Sequence, residues 1–333
     1  MSTTQLLIDT ADRIFTDFCD KAALDAAEAG EFPAALWAVI QENGLHELAL
    51  VDGGLSLSDV FAVLQVAGRY AVPLPLAEIL LANRWLGSSD TLYTIGIRRE
   101  DEVIDLPWGR ASEGVLVLDY GIGRTDNLAR VTGELATTGH NLAGEARDVY
   151  RIGSLQALPA VEDTFVMLAL ARTVQMAGTL TRVLELSLQY AGEREQFGRP
   201  IARFQAIQHT LAVMAAETAA ALRAADAAVA ALDAVASATA EASAEQTTAG
   251  RVALEVAAAK ARVGEACGLV AEQAHQVHGA MGYTHEHQLH HFTRRLWAWR
   301  DEYGTESYWQ QHLGRHLAGL GADSLWDYLA TRG

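Results

Sequence analysis

Two short segments carry the side chains best suited to chemistry. In the first, Arg194-Glu195-Gln196-Phe197-Gly198-Arg199-Pro200-Ile201, an arginine stands beside a Phe-Gly turn, and Phe204-Gln205-Ala206-Ile207-Gln208 follows. A guanidinium there offers a planar fork for a phosphate, and the ring offers a face for stacking. In the second, Gln276-Val277-His278-Gly279 continues through Gly282-Tyr283-Thr284. Small residues in such a turn leave backbone N–H groups uncovered, which suits a pyrophosphate. The competing reading of Arg194 is a surface ion pair with Glu193 or Glu195.

A histidine cluster, His285-Glu286-His287-Gln288-Leu289-His290-His291, invites a metal reading. His287 and His291 could share a helical face at i, i+4, but the H-E-x-x-H order is absent and no carboxylate completes the set, so no metal is expected. A polar connector between helices is the plainer reading. Trp297, Trp299, Tyr303, Tyr308 and Trp309 recur at helical intervals and read as core or interface packing. The two cysteines, Cys19 and Cys267, lie far apart without CxxC spacing, which excludes a disulfide framework and a zinc site and points to a reducing compartment.

The elements that position these residues fall into three parts: 1–90, 91–160 and 161–333. The first reads as short amphipathic helices at Thr3 to Phe18, around Ala22 to Ala29, and from Pro33 to a stop at Gly44. Beyond the Asp52-Gly53-Gly54 turn a further helix carries Leu57, Val60, Phe61, Leu64 and Ala67, with Ser58 as its N-cap. In the second part YTIGI, DEVIDL, GVLVLDY and ARVTG are short runs rich in β-branched residues. They predict a small β domain of about 70 residues, fewer than the roughly 100 of a complete sandwich or barrel. After Leu158-Pro159 the helical period returns. Residues 201–249 contain neither glycine nor proline and are rich in alanine, which predicts long helices in a close-packed antiparallel bundle, with 235–248 open to a linker reading. The fold class is mainly α with a small β domain.

With 333 residues, half of them apolar, the chain can bury a sizeable core. Its formal charge of −17 argues against nucleic acid or an anionic membrane as partner. No basic start precedes an apolar run, and no apolar stretch reaches the roughly 18 to 20 residues of a spanning helix, so a soluble cytoplasmic protein is expected.

From about Arg172 to Leu317 the order and separation of these motifs resemble the C-terminal domain of the acyl-CoA dehydrogenase family: R-x-x-F-G-x-x-I, then F-Q-x-I-Q, then Q-x-H-G-x-x-G-Y-T, an arginine pair at Arg294-Arg295, and Tyr303-Gly304-Thr305. The resemblance implies an N-terminal helical domain, a middle β domain and a C-terminal helical bundle, with FAD as cofactor and an acyl-CoA thioester as substrate. It also implies that Arg194, Phe197, Gln276 and Gly279 hold the ADP half of a flavin carried largely by a partner chain, with Thr305 among the cofactor contacts.

The chain departs from the family pattern at the catalytic positions. The desaturation needs a carboxylate to remove the α-proton while hydride leaves to the flavin. In the family this base often directly precedes Gly-Thr. Here Tyr303 takes that place and Glu302 lies one residue earlier, a shift that swings a side chain by roughly 100°. The other family position for the base, on the first helix of the C-terminal domain, falls on Leu168; the nearest ionisable residues are Glu162, Asp163 and Arg172. Between Thr91 and Pro159 neither the T-E-P/S-type loop nor the W-x-x-x-N-type strand of full-length relatives is found, and the chain is shorter than the family there. Three expectations follow. The chain is a truncated subunit of a heterotetramer of two such chains with two full-length acyl-CoA dehydrogenase subunits, acting on a bulky CoA thioester, a class that includes steroid side chains. Alternatively it is a self-sufficient homo-oligomeric dehydrogenase with Glu302 as base. In the third reading it is a non-catalytic helical scaffold.

Overall fold

A computed structural model describes residues 2–119, 121, 128–159, 163–237 and 245–330. Five helices come first: α1 (Thr3–Phe18), α2 (Lys21–Glu28), α3 (Ala34–Glu42), α4 (Leu57–Arg69) and α5 (Leu76–Leu86). Side chains of Ser2 and Asp20 cap α1 and α2, and Gly44 leaves α3 at a φ of 68°. The N-cap of α4 is Ser56 rather than Ser58: Ser56 and Asp59 bond reciprocally as a capping box, while Ser58 turns to Asp233.

The β region closes into a barrel of five strands in the order β1-β2-β5-β4-β3: β1 (Tyr93–Arg99), β2 (Glu102–Pro107), β3 (Gly114–Leu118), β4 (Leu128–Thr137) and β5 (Arg147–Ala157). Sequence patterning found four of these strands and expected too few residues for closure. The strand it missed, β5, is largely exposed, and only Tyr150 and Ile152 on either side of Arg151 pack on the barrel core, yet it pairs with both β2 and β4. A parallel β1–β3 pairing closes the ring. Side chains alternate along β3: Val115 and Val117 pack with Val103, Leu106 and Val131, while Leu116 and Leu118 join the core shared with the helices.

The C-terminal bundle contains α6 (Thr164–Glu193), a hairpin of β6 (Glu195–Gln196) and β7 (Arg199–Pro200), α7 (Gln205–Ser237), α8 (Glu245–His278), α9 (Leu289–Trp299), α10 (Glu306–Leu320) and α11 (Ala322–Ala330). Half of the stretch read as an alternative linker, residues 238–244, lies outside the described residues. The first half of α6 is buried on every side, so it runs through the centre of the molecule. Two glycines let α4 lie directly on it. A Cβ at Gly68 would come within 2.0 Å of the Gln175 carbonyl oxygen, and one at Gly178 within 1.9 Å of the Gln65 oxygen. Thr179 Oγ1 then donates to the Gly68 carbonyl at 2.8 Å. This contact ties the N-terminal helices to the bundle at a backbone separation that no other residue permits. Among the described residues no helix is long and apolar enough to cross a membrane.

Candidate functional site

The two motifs singled out from the sequence meet at one end of the bundle. Arg194 caps α6, its N–H donating to the Tyr190 carbonyl, and α8 ends at His278. The rings of Tyr190 and His278 stack at 4.5 Å, which places the Arg194 hairpin beside the Gln276–Gly279 turn. Phe197 stands at the hairpin tip, 92% exposed, with a φ of 51°, a left-handed value uncommon for a bulky residue. Arg194 is exposed, and among the described residues no carboxylate pairs with it; Glu193 instead accepts from Gln189. The ion-pair reading of Arg194 is therefore not the arrangement found. Gln276 and Gly279 are also exposed; Gly279 has a φ of 56° and open space where a side chain would stand. Between them the two segments offer a guanidinium, an aromatic face, an amide and a bare turn near one end of the bundle, donor types suited to a nucleotide diphosphate.

Thr305 is not part of that surface. It caps α10, accepting from the Tyr308 N–H at 3.3 Å, and Glu306 beside it packs on Gly264 of α8. Twelve residues of helix separate Gly264 from Gln276, roughly 18 Å.

The positions from which a catalytic base could come lie deep between the first helices, the barrel and α6. Leu168 is fully buried in the core, and Glu162 lies outside the described residues. Glu302 and Tyr303 enter a continuous line of buried ion pairs. Glu78 on α5 takes Arg172 Nη2 at 2.7 Å, and Arg172 Nε stands 2.8 Å from Glu302 Oε2 as a charge contact without hydrogen-bond alignment. Glu302 Oε1 accepts from Arg147 Nη2 at 2.7 Å, and the same guanidinium reaches Glu145 at 3.2 Å. Glu145 continues to Arg295, 3.2 Å away, and Arg295 to Glu28 at 2.9 Å, which also holds Arg294. Four carboxylates thus alternate with four guanidiniums. The Arg172 guanidinium lies 4.9 Å from the centre of the Trp299 ring, and Trp299 Nε1 donates to Glu145. Burial by itself would depress the pKa of Arg147 and Arg172; the carboxylates around them, Glu302 foremost, outweigh it and raise both. Burial likewise opposes ionisation of Glu145, yet the charges of Arg147, Arg295 and Arg172 hold its pKa low.

Tyr303 supplies a second lock. Its φ is 53°, its hydroxyl donates to Glu78 Oε1 at 2.8 Å, and its carbonyl accepts from Trp309 Nε1 at 3.0 Å. Burial and the neighbouring Glu78 push its phenol well above the ordinary value, so it stays neutral. Lys260 donates to the carbonyls of Arg300 and Gly304, fixing the same turn from below. The space left among Glu78, Arg147, Arg172, Gln175, Arg295 and Trp299 is about 20 Å³, enough for about one water molecule.

Sequence reasoning named Glu302 and noted Arg172 but missed their partners. The available signal was an ionisable residue inside an apolar run: Glu78 in PLAEILLAN and Arg172 in MLALARTVQM. Such residues are rarely buried unless paired. The aromatic group does pack as core, with Phe165 and Trp309 stacked at 5.8 Å.

Residues 158–317 match the profile of the acyl-CoA dehydrogenase C-terminal domain. This C-terminal segment is an acyl-CoA dehydrogenase C-terminal domain. A curated relative of this family, acyl-CoA dehydrogenase IpdE2 of Mycobacterium tuberculosis, is 28% identical over 318 residues, covering 87% of this chain and 90% of the relative. Among solved structures, the Tcur3481–Tcur3483 steroid ACAD superposes with a TM-score of 0.80 at 22% identity, over 95% of this chain and 98% of that one. The ChsE4–ChsE5 complex of Mycobacterium tuberculosis gives 0.78 at 19% identity, over 97% and 99%. The helical, barrel and bundle arrangement is therefore the acyl-CoA dehydrogenase fold.

Proposed function

We propose that this chain is the flavin-lending subunit of a hetero-oligomeric, FAD-dependent acyl-CoA dehydrogenase, assembled as two such chains with two full-length subunits. The single observation that carries the reading is an asymmetry. The surface able to meet an ADP group is free and complete in its donors, whereas the cleft where the family resemblance puts flavin ring and thioester is filled by paired charges. The space of about 20 Å³ left among these side chains argues against an isoalloxazine ring seated beside Glu302, which supports a flavin carried largely by the partner.

The fit at the outer surface is of a different kind. Arg194 would hold a phosphate, Phe197 would stack on the adenine side, and the amide of Gln276 with the bare N–H groups around Gly279 would receive the pyrophosphate. When bound, the flavin supplies the hydride acceptor for α,β-desaturation. This chain's contribution is to bind and orient; the base that removes the α-proton comes from the partner. Glu302 has both carboxylate oxygens committed to arginines, which disfavours the self-sufficient reading. The substrate class we favour is a bulky CoA thioester of the steroid side-chain kind, because two structural neighbours of nearly full coverage are steroid ACAD or heteromeric complexes by name.

Co-expression with a full-length dehydrogenase tests this. The expected product is a yellow complex with one FAD per pair of chains that desaturates an acyl-CoA, while this chain alone is colourless. A chain that binds FAD stoichiometrically by itself, or a colourless monomer that ignores every such partner, overturns the proposal.

A further inference from the structure

The histidine cluster does not use the pair its spacing suggests. His287 precedes α9 and turns inward, accepting the Leu289 N–H at 3.1 Å and packing against Tyr190 and His278. His291 turns the other way, toward α2. The carboxylate that the sequence did not offer comes from Asp25, some 260 residues away along the chain.

We infer that Asp25, His290 and His291 form a binding site for a divalent transition-metal ion of the zinc class. One ligand atom from each lies within 4.8 Å of the others. The hydrogen bonds on the far side of each ring fix which nitrogen is free. His290 Nδ1 donates to the His287 carbonyl at 2.8 Å, and His291 Nδ1 to Glu28 Oε1 at 2.7 Å. A carbonyl or carboxylate can only accept, so in the neutral rings the proton sits on Nδ1 and the lone pair on Nε2. Both Nε2 atoms are out of contact with solvent and have no hydrogen-bond partner. His291 Nε2 stands 3.1 Å from Asp25 Oδ1, and the two rings lie with centres 4.0 Å apart. Glu28 behind His291 completes the carboxylate–histidine arrangement that orients imidazole ligands around zinc.

Two imidazoles and one carboxylate suit zinc and its neighbours and not calcium or magnesium, which take oxygen donors. Lys21 occupies only Oδ2 of Asp25, leaving Oδ1 to the site, and the charge of Arg294 is met by Glu28. Water would complete the coordination of such an ion. The ion would clamp α2 to α9, both of which feed the buried ion-pair line through Glu28 and Arg295. The rival arrangement is a metal-free one, with His291 as an imidazolium bridging Asp25 and Glu28.

The test uses the untagged chain, stripped with a chelator and titrated with Zn²⁺ by calorimetry and with Co²⁺ by visible spectroscopy. Expected are one ion per chain, cobalt d–d bands that zinc abolishes, and a higher Tm with metal. Asp25→Asn, at an exposed position, and His290→Gln should each weaken binding by more than the roughly 10–100-fold that loss of an outer-shell partner costs. Thermal melts of the metal-free variants establish that they fold. No binding to the folded parent chain, or binding that survives either substitution, overturns the inference in favour of the imidazolium bridge.

Discussion

The substitution Glu302→Gln separates two roles for one carboxylate. In the structure Glu302 is flanked by Arg147 and Arg172, whose side chains are only 9% and 5% exposed. Removing its charge while keeping its shape leaves four guanidiniums facing three carboxylates in the buried line. Breaking a buried pair costs about 3–5 kcal/mol when the orphaned charge has nothing else. Here Arg147 keeps Glu145 at 3.2 Å and Arg172 keeps Glu78 at 2.7 Å. A loss of about 2–4 kcal/mol is therefore expected, a Tm decrease on the order of 5 °C or more. The assay is thermal melting of the assembled complex, paired with kcat per bound flavin on the same preparation. We expect the Tm to fall and kcat to stay at the parent value. Loss of a general base would instead reduce kcat by about 10²–10⁴. A variant with unchanged Tm and a rate lowered by that factor would refute the structural role and make Glu302 the base.

Further outcomes follow from the same contacts. Arg194→Ala should lower the FAD affinity of the complex by about 1.5–3 kcal/mol, read as flavin lost on gel filtration; an unchanged flavin content would favour the scaffold reading. Gly178→Ala places a methyl within 1.9 Å of the Gln65 carbonyl oxygen, and forcing α4 off α6 should destabilise the chain by about 3 kcal/mol or more in urea titration. Phe165→Ala, beneath Trp309 at zero exposure, should cost about 3–5 kcal/mol by the same measurement. Burial opposes ionisation of Glu28, but the His291 hydrogen bond and the Arg295 and Arg294 charges prevail and hold its pKa to about 2. Its folded value lies below the unfolded one, so its contribution is complete above the unfolded pKa near 4.5 and is lost as pH falls toward 2. Glu28→Gln should flatten the stability profile across that acid window.

Much of the architecture was legible because it rests on local signals. The helix from Thr3 to Phe18 has its predicted bounds, four of five strands coincide with β-branched runs, and the long glycine-free stretch forms α7. Barrel closure was not legible, since β5 is placed mainly by backbone pairing on two sides, with only Tyr150 and Ile152 as apolar contacts to the barrel core. The N-cap shifted from Ser58 to Ser56 because Asp59, three residues on, completes the capping box only with the latter. At the site, the Arg194 and Gln276 motifs could be read because each is contiguous in sequence. Their adjacency needed the Tyr190–His278 stack.

What the sequence alone determined, then, is the helical, β and helical order of the chain, its resemblance to the acyl-CoA dehydrogenases, and the misplacement of a glutamate by one residue. Those follow from periodicity and from motifs that occupy single turns. Only the tertiary structure decided what became of Glu302. It brings Glu28, Glu78, Glu145, Arg147, Arg172 and Arg295 from five separate segments into one line of charge. No spacing rule reports such a line, because the pull between buried charges depends on distance through space and on the loss of water around them.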